Sequence, residues 1–402
     1  MRPSISHAGA GAGGAVVPTA PAAASTRYWE IDFARGLMLV LMTVTHLPTR
    51  LTDPLGQPFG FVSAAEGFVL LSAFVSGMVY SRIGYTKGVD SMRSGFWRRA
   101  LKVYFAQGAL LLFLFTVITI IGVSKAEPAV LGLIRFYLAH PGEGLAWSLL
   151  LVYQPALLDI LPMYILFMLL SPWVLAHAMV HGWRWAMVLS AGCWLAAQFG
   201  FTPWIYARTA ETAGVSVPFT ETGAFDTFAW QLLWFFGLWL GASRNAPAVK
   251  PLRFRRWMLV ASAALALYFF YWRHYGLTGQ APFGDNEALN MLWDKWRLGP
   301  LRLLNLAVLG ILAIRFGPEL LRLVPRQRWL EDMGSASLPV FSAHLVAVLM
   351  TLAVFGGSQT ARPWWGDGLL LAVVFGGLYA TAYAVKHWEL RIVRKTEPAR
   401  PA

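Results

Sequence analysis

Apolar residues recur along this chain in windows of about twenty, beginning at Ile31, Phe61, Ala100, Ala156, Trp183, Phe225, Trp257, Pro300, Ser337 and Trp365. A helix of that length matches the hydrocarbon thickness of a bilayer, so the pattern predicts an all-α integral membrane protein, a polytopic bundle of about ten transmembrane helices. The polar connections divide into two kinds. Those after the second, sixth and eighth windows are basic: Arg82, Lys87, Arg93, Arg98, Arg99 and Lys102; then Arg244, Lys250, Arg253, Arg255 and Arg256; then Arg315, Arg322, Arg326 and Arg328. The alternate ones are sparse in charge: Arg50; Lys125 and Arg135; Arg208; Lys295 and Arg297; Arg362. The positive-inside rule then predicts both termini to be cytoplasmic, which requires an even number of spans and agrees with ten.

Residues 1–26, rich in Ala, Gly, Pro and Ser, contain no apolar run of signal-peptide type and read as a disordered cytoplasmic tail. Residues 396–402 read the same way, leaving 27–395 as the membrane domain, so any chemistry belongs to the bundle itself. A formal net charge of +13 would suggest nucleic acid as the partner of a soluble protein. Here the chain is 57% hydrophobic and the Lys and Arg residues fall in loops of one side, so the expected partner is membrane lipid and not nucleic acid. The single cysteine, Cys193, lies in an apolar window, which excludes an intramolecular disulfide and a Cys-based metal site. There is no zinc-type spacing, phosphate loop, dinucleotide fingerprint or serine-nucleophile elbow, so neither a metal nor a permanently bound cofactor is expected.

Ionisable residues inside apolar windows are costly and mark candidate chemistry. The first window carries Asp32, Arg35 and His46. Asp32 and Arg35 are three apart and can pair on one face; as a bland alternative they anchor the helix at the interface. Arg35 and His46 are three turns apart, returning to nearly the same face roughly 16 Å along the helix. Pro48 biases Leu47 out of the α region, placing His46 in the last turn. With the predicted topology, windows two, four, six and eight start at the outer side. Near those starts stand Glu66; Asp159; Asp226 with Trp230 and Gln231; and Arg302 with Asn305. One shared polar cavity is the economical way to hold these groups at one depth with His46. His344, inside the ninth window, either lines it or belongs to the core. Pro162 is expected to loosen the helix beside Asp159, and the small residues from Ser72 to Gly77 to let helices approach closely.

Two ends with different chemistry follow. Arg35, Arg98 and Arg99 suit the phosphates of an anionic donor on the cytoplasmic side, whereas Arg82 and Lys102 read as ordinary positive-inside charge. At the outer side His46, with Glu66 or Asp159 orienting it, makes a general base. A proton-coupled transporter using the same residues as a relay is the reading from a different class.

Arg35 and His46 form the R-x10-H arrangement of the acyltransferase type 3 superfamily, and Arg98-Arg99-x-x-Lys102 resembles that superfamily's basic stretch before its third helix. More specifically, EIDFARG (30–36), GFVSAAEGFVLLSAFVSGMVY (60–80), LDILPMYI (158–165), FDTFAWQLLWFFG (225–237) and LGPLRLLN (298–305) are similar to the OpgC family, which succinylates osmoregulated periplasmic glucans. The resemblance implies a multi-pass protein of the bacterial inner membrane that transfers an acyl group from cytoplasmic acyl-CoA to a hydroxyl of a periplasmic glucan. The donor would be succinyl-CoA, or acetyl-CoA if the acceptor is another envelope polysaccharide. It implies His46 as the catalytic residue, and Arg35 with Asp32, Arg98 and Arg99 at the donor site. Arg302 is the residue expected to meet a succinyl carboxylate or the developing oxyanion, within an acceptor cavity that also takes in Asp226, Trp230, Gln231, Asn305 and His344. Two positions depart from the family pattern: Asn305, where a histidine is expected, and Ala73, which replaces the glycine of LSG.

Overall fold

The computed structural model describes residues 28–245, 253–275, 282–358 and 362–396, with side chains up to 388. The two predicted tails lie outside these residues, save Thr396 at the end of the last helix. No strand occurs among the described residues. Each of the ten apolar windows coincides with a long helix: α1 (Trp29–His46), α2 (Ala64–Lys87), α3 (Val89–Phe113, continuing to Ser124), α4 (Ile160–His181), α5 (Arg184–Gln198), α6 (Thr227–Ser243), α7 (Arg256–Tyr275), α8 (Pro300–Leu323), α9 (Ser337–Phe355) and α10 (Trp364–Thr396). By length and composition, α2, α3, α4, α8, α9 and α10 can cross a membrane, which makes this an all-helical membrane protein with six candidate spans. The other four depart from that standard for visible reasons. Helix α1 carries Glu30, Asp32 and Arg35; α5 and α6 have 15 and 17 residues; α7 begins at Arg256 and ends with Arg273 and His274.

The bundle is tightest where small residues meet. Helices α2 and α6 pack through Gly77, Gly237 and Gly241. A Cβ on Gly77 would collide with the Leu238 carbonyl, and one on Gly241 with the Phe74 carbonyl. Ser72, Ala73 and Ser76 lie buried on the same side of α2, so the stretch expected to permit close approach does so. Replacing Gly241 by leucine therefore forces the two helices apart. A loss of about 1–3 kcal/mol or more is expected, seen as a fall of several degrees in the unfolding temperature of the detergent-purified protein. A second close contact joins α1 to the short helix Arg328–Ser335, where Gly36 faces the Leu330 backbone and Gly334 the backbone of Asp32. It fixes the end of α1 that bears Asp32 and Arg35.

Helix α1 ends at His46, and Leu47 turns extended with ψ 133° ahead of Pro48, as the sequence predicts. Pro162 behaves otherwise. It stands in the first turn of α4, where its missing N–H would have found no helical partner, so it starts a helix and breaks none. The irregular backbone near Asp159 comes instead from Leu157, which adopts a φ of 73° just before α4 begins.

Candidate functional site

A cavity of about 630 Å³ opens among the C-terminal end of α1, the starts of α2 and α4, the start of α8 and the connection that precedes it. His46, Asp159 and Arg302 line it, together with Lys295, Phe61, Trp293 and Trp296. The polar groups at the predicted outer ends of α1, α4 and α8 thus do share one space. Glu66 stands directly behind the wall, on Arg302.

His46 is organised by a histidine 298 residues away. Its Nδ1 lies 3.0 Å from Nε2 of His344, and the two rings stack with centroids 5.3 Å apart. His344 Nδ1 lies 2.9 Å from the Phe341 carbonyl, which can only accept, so that nitrogen carries a proton. With His344 neutral, its Nε2 accepts and His46 Nδ1 donates. The Nε2 lone pair of His46 is then available, the tautomer a general base requires. His344, fully buried, orients the base from behind and does not line the cavity.

This corrects the expected role of the carboxylates. Glu66, fully buried at the start of α2, accepts from the Ser63 backbone N–H at 3.0 Å and from the Ser63 hydroxyl, capping its own helix. Its other oxygen pairs with Arg302 Nη1 at 2.8 Å. Asp159 accepts from the Ala224 N–H at 2.9 Å. Neither carboxylate bonds to His46.

Arg302 is also more fully engaged than the sequence implies. Beyond Glu66 it donates from Nε to the Trp293 carbonyl at 3.0 Å and from Nη1 to the Phe61 carbonyl. One turn further along α8, Asn305 accepts from the Phe61 N–H at 2.7 Å. Arg302 and Asn305 together clamp the segment that leads into α2, with the Phe61 ring tilted against Trp293, centroids 4.0 Å apart. Asp226, Trp230 and Gln231 are absent from the cavity wall. Asp226 caps α6 through the Ala229 N–H and accepts from Thr202; Trp230 donates to the Trp296 carbonyl; Gln231 exchanges bonds with Ser190 of α5. These three support the site and do not touch its contents.

Lys295 was legible only as one charge of a sparse outer loop, yet it lines the cavity, its ammonium 4.7 Å from the centre of the Trp296 ring. Burial pulls this ammonium below the ordinary lysine range, while Glu66 and Asp159 hold it up and Arg302 pushes it down further.

At the other end of α1 a small cavity of about 20 Å³, room for a water, is lined by Arg35, Arg99, Ser72, Tyr164 and Ser337. Arg35 donates to the Ser337 hydroxyl. Asp32 is buried one turn before it on α1. Arg99 of the basic stretch thus faces Arg35, whereas Arg98 is exposed and turns back on the Ser94 carbonyl. Phe341 lines both cavities. It stacks on Phe68 at 5.9 Å and meets the edge of His344 at 5.0 Å, and so forms part of the wall of both spaces beside the histidine pair.

No curated protein and no solved structure matches this chain. The family model for the OpgC protein matches residues 27–390, the whole helical bundle from α1 to α10, and the chain belongs to the OpgC family.

Proposed function

We propose that this protein is a membrane O-acyltransferase that moves a succinyl group from cytoplasmic acyl-CoA to hydroxyls of a periplasmic glucan. Family membership supports an acyltransferase of the glucan succinyltransferase type. The observation that carries the reading is His46, held by His344 on the wall of a large cavity that shares Phe341 with a second, cationic one. One is cationic, with Arg35 and Arg99; the other is large, walled by aromatic rings and edged by Asp53, Gln57, Glu287 and Asn290. Arginine pairs suit phosphate, while aromatic faces with amide and carboxylate edges suit a sugar.

On this reading the ten long helices all span the bacterial inner membrane, and both termini are cytoplasmic. The donor enters from the side of Arg35 and Arg99, and its thioester reaches past Phe341 toward His46. The roughly 16 Å of helix between Arg35 and His46 is comparable to an extended pantetheine arm. His46 Nε2 takes the proton of a glucan hydroxyl as the oxygen forms its bond to the thioester carbonyl carbon. The carbon–sulfur bond then breaks, and the thiolate recovers that proton to leave as CoA. His344 steadies the imidazolium between these events, because Nδ1–H of His46 stays hydrogen-bonded throughout. An acyl group carried on His46 itself is the covalent variant of the same step.

Mass spectrometry of periplasmic glucans from cells with and without the protein tests the reading. Added succinyl mass is expected only where the protein is present. Added acetyl mass, or acylation of another envelope polymer, would move the donor or acceptor. Flux of a solute into sealed vesicles with no acylated product would replace the enzyme by a transporter.

A further inference from the structure

Three basic side chains line the large cavity, and two are already committed. Arg302 spends its guanidinium on Glu66 and two backbone carbonyls. Arg273 donates to Gln57 Oε1 at 3.0 Å. Lys295 differs, for among the described residues no carboxylate stands within 4.0 Å of its ammonium. The acids whose charge reaches it are occupied elsewhere, Glu66 by Arg302 and Ser63, Asp159 by the Ala224 N–H, and the adjacent Asp294 accepts from the Arg297 N–H. Lys295 is therefore a half-buried cation that makes no ion pair among the described residues, in the same cavity as His46. An anion that arrives beside it gains a charge-assisted hydrogen bond without displacing an existing one.

Given acyl transfer at His46, the anion must reach Lys295 while a carbonyl is held at the base. We propose that Lys295 binds the distal carboxylate of a dicarboxylic acyl group and so selects succinyl over uncharged acyl groups of equal length. The Trp296 ring lies beside the ammonium, and Trp293 and Phe61 line the same cavity, so apolar surface flanks the site and strengthens such a pair. An acyl group of the same length ending in a methyl leaves this half-buried cation without a partner, and binding sites discriminate most sharply against ligands that leave a polar group of the site unmatched. The assignment moves carboxylate recognition from Arg302 to Lys295.

The test compares succinyl-CoA with butyryl-CoA as donors for the purified full-length protein, with Lys295→Met and Lys295→Arg variants. The ratio of kcat/KM for succinyl to that for butyryl is expected to fall at least about tenfold in Lys295→Met and to be largely retained in Lys295→Arg. Equal losses with both donors would make Lys295 an oxyanion or structural residue and overturn the proposal. A wild type that transfers only acetyl would overturn it too, and leave the acyltransferase reading standing. Thermal stabilisation by each donor gives a readout independent of any acceptor. A larger shift with succinyl-CoA than butyryl-CoA, erased in Lys295→Met, supports the assignment even where no acceptor is acylated; that latter result would count against acyl transfer alone. Equal shifts in the wild type overturn the assignment. Should Lys295→Met fail to fold, Lys295→Gln is read by the same ratio.

Discussion

Replacing His46 by glutamine is expected to lower acyl transfer by about 10²–10⁴-fold, the range over which a positioned general base acts. Glutamine keeps the side-chain volume and can still bond to His344, so the packing at the end of α1 survives while the proton acceptor is lost. That choice separates chemistry from folding better than alanine does. The partner should behave differently. His344 holds the tautomer through its 3.0 Å contact and its bond to the Phe341 carbonyl. His344→Leu, which removes the acceptor for His46 Nδ1–H, is expected to cost about 10–100-fold, the usual scale for a residue that orients another. Rates of labelled succinyl transfer at matched amounts of folded protein measure both. A His46→Gln protein working at the wild-type rate would remove the centre of the proposed mechanism.

Breaking the Glu66–Arg302 pair from either side should produce the largest losses of stability at the site, and Glu66→Ala is the cleaner of the two truncations. Glu66 is fully buried and Arg302 is 4% exposed, so deleting the carboxylate leaves a guanidinium with no counter-ion inside the bundle. Breaking a buried pair in this way costs about 3–5 kcal/mol. The capping of α2 through Ser63 goes with it, adding about 1 kcal/mol. The unfolding temperature of the purified protein should fall accordingly, by more than for the isosteric Glu66→Gln. The reverse truncation, Arg302→Met, abandons the Phe61 and Trp293 carbonyls as well as Glu66, and should be at least as damaging. An unfolding temperature unchanged in Glu66→Ala would mean that the pair contributes nothing to the fold.

Helix positions and the end of α1 were readable because hydrophobic runs and proline act locally. The convergence of His46, Asp159 and Arg302 was readable too, since the cost of isolated charge in hydrocarbon leaves few arrangements. What did not show was the pairing between helices far apart in the chain. A single sequence says which face of α9 carries His344; it does not say which neighbour that face meets, so Glu66 and Asp159 looked as good a partner for His46. The same gap hid Lys295, whose connection folds inward, and gave Asp226 and Gln231 a cavity role in place of the capping and inter-helix bonds they make. Pro162 was misread by only a few residues, because the boundary of α4, and not the identity of the residue, decides whether a proline breaks a helix or begins one.

The Phe341 ring that both cavities share has a meaning for the cell as well as for the reaction. A membrane that stores energy as an ion gradient cannot tolerate a continuous hydrated path through one of its proteins. A group transferred across such a membrane must therefore pass where water and protons do not. An aromatic ring buried to 2% exposure, wedged between Phe68 and His344, makes that distinction. In the proposed reaction an acyl arm reaches His46 only if this ring is displaced, and the arm then fills the space the ring leaves. On this reading the catalytic His46 and the His344 that positions it sit at the insulating layer itself, so the protein handles its substrate without short-circuiting the membrane that holds it.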